Sequence, residues 1–146
     1  MKILKLTTLL IGLFLITGCG DDDGLALISI DEYIEQNGIQ NVLETSTGLK
    51  YTIDEPGSDE KPGIGAVVNV AYTGYRTDEL VFDSSPGFEG ALALFIAGWQ
   101  EGIPLFGRGG SGTLFIPAEL AYGSRGAGAD IPPNADIIFD IQLLNF

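Results

Sequence analysis

Apolar and polar positions alternate in several stretches of the chain, and this alternation predicts β-strands. Leu49, Tyr51 and Ile53 are separated by polar residues, which is the period-two pattern of a strand with one buried face. Other β-prone runs are longer and are bounded by polar or glycine-rich turns. They cover residues 67–75, a return strand that starts at 80–82, 111–116 and 137–144. The last run has apolar side chains at every second position, so one of its faces is expected to pack on the core.

Two short segments have the spacing of a helix. The first begins at Ser29-Ile30-Asp31-Glu32, which fits a capping box in which the serine and the glutamate satisfy free backbone amides. We predict a helix over about 30–37, ended by Asn37-Gly38 and followed by a loop to Gly48. The second predicted helix covers 96–105, and the side chains on its apolar face are Ile96, Trp99 and Ile103.

A loop rich in glycine and proline, 117–136, separates the last two predicted strands. Loops of this length are unusual inside a small domain and are often functional. The chain has no internal repeat. The elements together predict an α+β fold, in which a curled and mostly antiparallel sheet wraps around one short helix. A short helical extension precedes this domain.

The composition restricts the kind of site that the chain can hold. The 146 residues include 20 acidic and 7 basic ones, for a net charge of −13, and no histidine. The negative charge argues against nucleic acid or an anionic membrane surface as the partner. The single cysteine excludes a disulfide within the chain. Because histidine is the commonest general base and metal ligand, we expect a site that acts by shape and desolvation, with no metal and no cofactor.

Two further segments resemble ligand sites only at first sight. Residues 107–112 are as rich in glycine as a phosphate loop, but they lack its Gly-Lys-Ser ending and no helix is predicted after them. Asp130, Asp136 and Asp140 do not have the spacing of a known calcium loop. We therefore expect a flexible turn in the first case and solvated carboxylates in the second.

The first 18 residues have the features of an export signal. Lys2 and Lys5 precede an apolar run, 9–16, that is too short to span a bilayer. The run ends beside the lone Cys19 in a segment that resembles a bacterial lipobox. This resemblance implies cleavage of residues 1–18 and attachment of a lipid to Cys19. The alternative is a cysteine that lies by chance near an ordinary cleavage site.

Cleavage at this point would leave a more acidic protein with two parts. Residues 1–18 contain two lysines and no acidic residue, so their removal changes the net charge from −13 to −15. Residues 19–47 are predicted to form an acidic tether and a short helical extension, and residues 48–146 to form the domain. The acidic run 20–24 fits either a solvated spacer or a surface-export address. We expect a location in the cell envelope, at the outer membrane on its periplasmic or surface face.

Five motifs made of aromatic, apolar and turn residues follow one another in the predicted domain. They are Tyr72-Thr73-Gly74, Phe82-Asp83-Ser84-Ser85, Gly98-Trp99-Gln100-Glu101-Gly102, Ala121-Tyr122-Gly123 and Ile131-Pro132-Pro133-Asn134-Ala135. In this order they resemble the FKBP-type peptidyl-prolyl cis-trans isomerases, and the resemblance covers about two-thirds of the chain. It implies an enzyme that rotates X–Pro bonds in unfolded or exported polypeptides and thereby assists protein folding at the cell envelope. Such an enzyme needs no cofactor and acts as a monomer.

The resemblance also implies which residues form a pocket for the substrate proline. Trp99 would be its floor. The side chains that would form its walls are Tyr72, Phe82 and Phe139. The backbone amide of Ile96 and the hydroxyl of Tyr122 would each donate a hydrogen bond to a substrate carbonyl. Asp83 would orient Tyr72 and polarise one side of the pocket.

Three further residues are expected to contact the substrate. Phe95 takes the place of a smaller aliphatic residue of the family and would narrow the pocket, and Ile131 would lie near the rim. The stretch 86–98 is shorter than is usual in the family, and Pro86 stands where a pocket aromatic is expected. Phe88, two positions later, is the candidate substitute.

Other interpretations of the same residues remain open. Taken singly, each of these aromatic residues fits an ordinary hydrophobic core, and only their joint order favours a pocket. The pocket could also bind proline-containing segments as a chaperone or receptor, without catalysing rotation. A third possibility is a structural lipoprotein of the envelope, whose pocket is filled by its own side chains.

Overall fold

The computed structural model describes residues 27–146, which form six β-strands and two α-helices. The strands are β1 (Leu43–Glu44), β2 (Lys50–Tyr51), β3 (Val67–Arg76), β4 (Val81–Ala91), β5 (Ser111–Ile116) and β6 (Ile137–Asn145). The helices are α1 (Ile30–Gln36) and α2 (Ala97–Gly102), and single 3-10 turns lie at Leu92–Leu94, Ile103–Leu105, Ala118–Leu120 and Gly123–Arg125. The predicted signal, Cys19 and the acidic run lie outside the described residues.

The six strands form one antiparallel sheet in the order β1-β2-β5-β6-β3-β4. The sheet is curled, and α2 packs against its inner face. The predicted α+β architecture is therefore confirmed. The inner face supplies most of the core, whose fully buried side chains include Val68, Val70, Leu114, Ile116, Ile137 and Leu143.

Two glycines allow α2 to approach β5 closely. A Cβ atom at Gly98 would overlap Ile116 Cγ2, and one at Gly102 would lie 2.7 Å from Leu114 Cδ1. The two glycines are four residues apart, so they lie on the same face of the helix. The glycines of the Gly-Trp-x-Glu-Gly motif thus determine how closely the helix, and with it Trp99, packs against the inner face of the sheet.

Helix α1 packs on the outer face of the sheet. Its buried residues Ile30 and Tyr33 cluster with Phe115 of β5 and Ile138 of β6. The Ser29 side chain accepts a hydrogen bond from the Glu32 amide at 3.3 Å, as predicted for the start of this helix. Within residues 27–146 the Glu32 side chain does not accept a hydrogen bond from the Ser29 amide, which would complete the capping box. The Glu32 carboxylate accepts one from the Gln36 side chain instead.

Strand β4 is an edge strand with two irregularities, and it runs through a proline. Its register against β3 shifts between Ser85 and Phe88, and again around Phe82. Each shift is a β-bulge that places one extra residue in β4. Pro86 lies in the first bulge, at the sheet edge, where a missing N–H costs no ladder hydrogen bond. The shortened stretch 86–98 before Trp99 therefore begins within a β-bulge.

Three details differ from the sequence-based expectation. The predicted loop after α1 contains the two-residue strand β1. The predicted helix 96–105 has its α-helical part only at 97–102, since Pro104 has no N–H to continue the ladder and the chain tightens into a 3-10 turn. The alternation at the first strand stops after Tyr51: Thr52 is buried and Ile53 is 39% exposed.

Candidate functional site

A cluster of aromatic rings surrounds Trp99, the only tryptophan of the chain. Tyr72 comes from β3, Phe139 from β6 and Phe95 from the segment before α2. Their ring planes stand at 84°, 79° and 86° to the indole plane, with centroids 5.1, 5.2 and 5.2 Å from it. Edge-to-face contacts of this kind are favourable. The indole is thus framed by three rings that stand perpendicular to it.

This ring cluster borders a solvent-open cavity of about 390 Å³. The lining residues are Tyr72, Asp83, Phe88, Leu94, Phe95, Ile96, Trp99, Tyr122 and Phe139. The structure therefore brings together most of the residues expected from the sequence. It also adds Leu94, which the sequence analysis did not single out.

Two of the expected residues, Phe82 and Ile131, do not line the cavity. Phe82 packs edge-to-face on Phe139, with ring centroids 5.6 Å apart. Both rings press on Gly74, where a Cβ atom would lie 2.5 Å from Phe139 and 2.8 Å from Phe82. Ile131 is buried in the core and is only 5% exposed. Phe82 thus supports a wall of the cavity from behind, and Gly74 of the Tyr-Thr-Gly motif provides the space for this packing.

Three hydrogen-bond donors at the cavity have no protein partner among residues 27–146. They are the backbone amide of Ile96, the hydroxyl of Tyr122 and the buried indole Nε1 of Trp99. The Ile96 amide stays free because this residue lies just before the first turn of α2, where backbone N–H groups have no intrahelical partner. The site can therefore donate hydrogen bonds to a bound chain without first breaking its own.

The carboxylate of Asp83 binds one of the two cavity tyrosines. The Tyr72 hydroxyl donates to Asp83 Oδ2 at 2.7 Å. Burial, followed by this contact with Asp83, raises the pKa of Tyr72 to about 12. Burial and the charge of Asp83 also raise the pKa of Tyr122. Both hydroxyls therefore keep their protons at neutral and mildly alkaline pH.

Gln100 fixes the chain segment that carries three cavity residues. Its Nε2 donates to the carbonyl of Phe95 at 2.7 Å and to that of Ala93 at 3.2 Å. Leu94, between these two anchored carbonyls, is 84% exposed at the cavity mouth. Leu94 was not among the residues expected at the site, and Gln100 was expected only as a member of its motif, without a role of its own. Leu94 lies in an apolar run that predicts a buried segment. Nothing in the sequence indicates that the Gln100 side chain bonds the carbonyls of Ala93 and Phe95, which precede it in the chain.

A glycine makes room for the larger side chain at Phe95. A Cβ atom at Gly90 of β4 would lie 2.6 Å from Phe95 Cζ. The Phe95 ring therefore lies directly over the strand backbone. Phe88 packs against Phe95 with ring centroids 5.7 Å apart and against Tyr72 at 6.4 Å, and it remains 44% exposed. The bulge at Pro86 thus leads into a strand that places Phe88 at the cavity.

The expectation of solvated carboxylates agrees with the exposure of Asp130 and Asp140, but it is wrong for Asp136, which is half-buried and bonded to two backbone amides. Asp140 accepts a hydrogen bond from the Thr113 hydroxyl at 2.7 Å. Asp136 accepts from the backbone amides of Ala118 at 3.0 Å and Ile30 at 3.2 Å. Throughout residues 27–146, no group of three or more potential metal-binding side chains is assembled. No helix in that same part of the chain has the length and apolar character needed to cross a membrane.

The fold agrees with comparisons to known proteins. Residues 58–144 match the family model of the FKBP-type peptidyl-prolyl cis-trans isomerases. The chain belongs to this family. Its match to the probable FKBP-type isomerase FkpA of Neisseria meningitidis is 38% identical over 119 residues, which is 78% of this chain and 44% of that protein.

Two further relatives extend the comparison. The outer membrane protein MIP of Legionella longbeachae is 41% identical over 109 residues, covering 71% of this chain and 46% of that protein. The crystal structure of FkpA from Escherichia coli superposes with a TM-score of 0.73 at 38% identity, covering 79% of this chain and 56% of that one. This FKBP-type chain spans about half the length of the curated relatives that it matches.

Proposed function

We propose that this FKBP-type chain catalyses cis–trans isomerisation of X–Pro bonds in exported polypeptides. One observation carries the proposal: a solvent-open cavity is floored by Trp99 and has unpaired donors at Ile96 and Tyr122. A proline ring can rest on the indole while the two donors hold the chain on either side of it. The family membership of residues 58–144 supports the same activity.

The physical basis of catalysis is the loss of amide resonance in the transition state. Resonance gives the peptide bond a rotational barrier of about 18–20 kcal/mol. Near the top of that barrier the amide is twisted and its charge separation is smaller than in the planar form. A cavity walled by Tyr72, Phe95 and Phe139 replaces water with apolar surface, and this disfavours the planar ground state relative to the twisted one. No proton transfer and no covalent intermediate are needed.

The required free energy is within reach of such a site. Each ~1.4 kcal/mol of preference for the twisted form accelerates the rotation tenfold. A preference of about 6–7 kcal/mol therefore corresponds to roughly five decades. Desolvation by the ring cluster, together with hydrogen bonds from Ile96 and Tyr122 aimed at the bound chain, can supply an effect of this size.

Replacing the cavity floor tests the activity. Trp99→Leu is expected to lower kcat/KM sharply in a protease-coupled assay on an Ala-Leu-Pro-Phe peptide, because the platform under the proline is lost. Phe106→Leu is a matched control, since Phe106 is a fully buried aromatic residue that does not line the cavity. Equal activity of the Trp99 variant and the wild type, with both folded by circular dichroism, contradicts the proposal.

A non-catalytic role in binding unfolded chains is the second candidate. Leu94 and Phe88 expose 84% and 44% of their surface at the cavity mouth, and exposed apolar patches of this kind often bind other polypeptides. The Trp99→Leu variant separates the two roles. If binding is the function, this variant still suppresses aggregation of a proline-free client, and the wild type gives no acceleration of X–Pro rotation.

We further propose that the protein is lipidated at Cys19 and works as a monomer at the cell envelope. The lone cysteine after a short apolar run supports the anchor, and a relative is an outer membrane protein by name. The net charge of −13 is consistent with protein clients rather than nucleic acid. Incorporation of labelled palmitate in a bacterial host tests the anchor, and Cys19→Ala must abolish it. Equal palmitate labelling of the wild type and the Cys19→Ala variant contradicts the proposed lipid anchor.

A further inference from the structure

The carboxylate of Asp136 joins two parts of the chain that are far apart in sequence. Its Oδ1 accepts a hydrogen bond from the Ala118 amide at 3.0 Å, and its Oδ2 accepts one from the Ile30 amide at 3.2 Å. Ile30 is the first residue of α1, and Ala118 is the first residue of a 3-10 turn. Amides at the start of a helical turn have no partner within it. One side chain therefore satisfies the free amides of two turns.

The 3-10 turn that begins at Ala118 leads directly to Tyr122. Within it, the amides of Leu120 and Ala121 donate to the carbonyls of Pro117 and Ala118 at 2.9 and 3.1 Å. Ala118 itself is buried, with 5% of its surface exposed. The backbone from Ala118 to Tyr122 is thus a short, hydrogen-bonded arm. Asp136 holds one end of this segment. At the other end the Gly123 carbonyl accepts a hydrogen bond from the Asn134 amide at 2.9 Å, next to Tyr122, whose side chain lines the cavity.

A second hydrogen bond joins the same extension to the turn between β3 and β4, which itself contacts the loop that carries Tyr122. The Ile28 amide donates to Thr77 Oγ1 at 3.1 Å, and Thr77 is only 4% exposed. The neighbouring Arg76 donates from Nη1 to the carbonyl of Asp130 at 2.7 Å. The segment that enters α1 is therefore bonded directly to the loop 117–136 through Asp136, and indirectly to Asp130 of that loop through Thr77 and its neighbour Arg76. Helix α1 lies outside the part of the chain, 58–144, that matches the family model.

We propose that Asp136 is a positioning residue, through which the N-terminal extension holds Tyr122 over the cavity. The proposal rests on the isomerase function proposed above. Asp136 does not touch the substrate. Its hydrogen bond to the Ala118 amide fixes the backbone segment that places the Tyr122 hydroxyl near a substrate carbonyl. Because Asp136 also bonds Ile30, the N-terminal extension contributes to catalysis and is not only a spacer.

The substitution Asp136→Asn tests this role in the full chain. The amide side chain keeps its shape but has only one acceptor oxygen, so one of the two amides, of Ile30 or of Ala118, faces an NH2 group. We expect kcat/KM for the Ala-Leu-Pro-Phe peptide to fall by up to about three- to tenfold, the effect of losing the ordinary hydrogen bond from the Tyr122 hydroxyl to the substrate. Glu35→Gln is the matched control, since it neutralises an exposed carboxylate of the same helix that makes no side-chain hydrogen bond or ion pair within residues 27–146, and it should leave the rate unchanged.

A double-mutant cycle distinguishes positioning from general destabilisation. If Asp136 acts through the Tyr122 hydroxyl, the variant Asp136→Asn/Tyr122→Phe is no slower than Tyr122→Phe alone. Rate losses that simply multiply would overturn the proposal, as would an Asp136→Asn variant as fast as the wild type. An inactive wild type would instead reject the isomerase function itself.

Thr77→Val provides a second variant if Asp136→Asn does not fold. It removes the acceptor for the Ile28 amide and retains the shape of the side chain. We expect a smaller rate loss, of about two- to threefold, that again disappears in the Tyr122→Phe background. A Thr77→Val protein with the wild-type rate, or with a loss that persists beside Tyr122→Phe, contradicts the role of the extension.

Discussion

Tyr122 and Ile96 present polar hydrogens to a cavity that is otherwise walled mainly by rings. Neither group has a protein partner among residues 27–146, so a substrate carbonyl replaces only water at these positions. Tyr72 lies beside them but is already bound to Asp83. The two cavity tyrosines therefore have different tasks: one is part of the wall, and the other is free to bind.

Removing the free hydroxyl tests this division. Tyr122→Phe is expected to lower kcat/KM about three- to tenfold, because one hydrogen bond to the substrate is lost. The thermal midpoint should remain close to that of the wild type, since the hydroxyl has no partner within the described residues. Tyr51→Phe is the control, because Tyr51 is half-buried outside the cavity. A large fall in thermal stability with unchanged activity would mean that Tyr122 is a structural residue.

The order of five motifs predicted most of the cavity because several of them combine a cavity side chain with a nearby glycine that makes room for the packing around it. Trp99 follows the glycine that sets the helix against β5, and Tyr72 precedes the glycine on which Phe139 packs. Phe82 was expected in the wall and lies behind it, since the bulge in β4 changes which side chains face inward. Leu94 could not be predicted, because exposure of an apolar residue depends on tertiary packing.

Helix α2 has little stability of its own, and its place is determined by packing. It has six residues, far fewer than an isolated helix needs. Gly98 and Gly102 let its backbone rest on Ile116 and Leu114. The position of Trp99, and thus the depth of the cavity, depends on this close approach.

A single added methyl group is expected to disturb this packing. Gly98→Ala should lower the free energy of unfolding by about 1–3 kcal/mol, because the new Cβ overlaps the stiff side chain of Ile116. Gly65→Ala is the control, since nothing lies within 4 Å of a Cβ at that position; its effect should stay within about 0.5 kcal/mol. Urea denaturation measures both. Equal midpoints would show that α2 does not need the glycine.

The presence of each strand and helix was predicted more accurately than the residues at which it begins and ends. Strand β5 has the predicted bounds, 111–116, because glycine turns and a proline flank a β-prone run. The extent of β4 to Ala91 was not foreseen, since Pro86-Gly87 resembles the end of a strand. Only the sheet order shows that this pair lies on an edge and in a bulge, where proline is tolerated.

Across the whole molecule, buried tyrosines link stability to pH. Burial, followed by Asp83, raises the pKa of Tyr72 to about 12 from its ordinary value of 10.0. Burial is also the main cause of the raised pKa values of Tyr33, Tyr75 and Tyr122. A group whose pKa is raised on folding binds its proton more tightly in the folded state. Its contribution to stability is complete below pH 10 and is lost as the pH rises towards the folded pKa.

The protein should therefore lose stability in alkali, in a pH range where its carboxylates are already fully ionised. We expect the free energy of unfolding to fall steadily between pH 10 and 12, as followed by urea denaturation. Tyr72→Phe should reduce the steepness of this fall, because one of the linked protons is removed. An unchanged slope in that variant would mean that Tyr72 does not have the raised pKa assigned to it.

The most direct test follows the proline bond and the tryptophan in one sample. Exchange NMR of an Ala-Leu-Pro-Phe peptide detects rotation through cross-peaks between its cis and trans signals, which are absent without a catalyst because rotation takes tens to hundreds of seconds. Trp99 is the only tryptophan, so its indole resonance reports occupancy of the cavity. We predict cross-peaks at catalytic amounts of protein, together with a shift of the indole resonance. A shifted indole resonance without cross-peaks, or cross-peaks that persist in Trp99→Leu, would contradict the account.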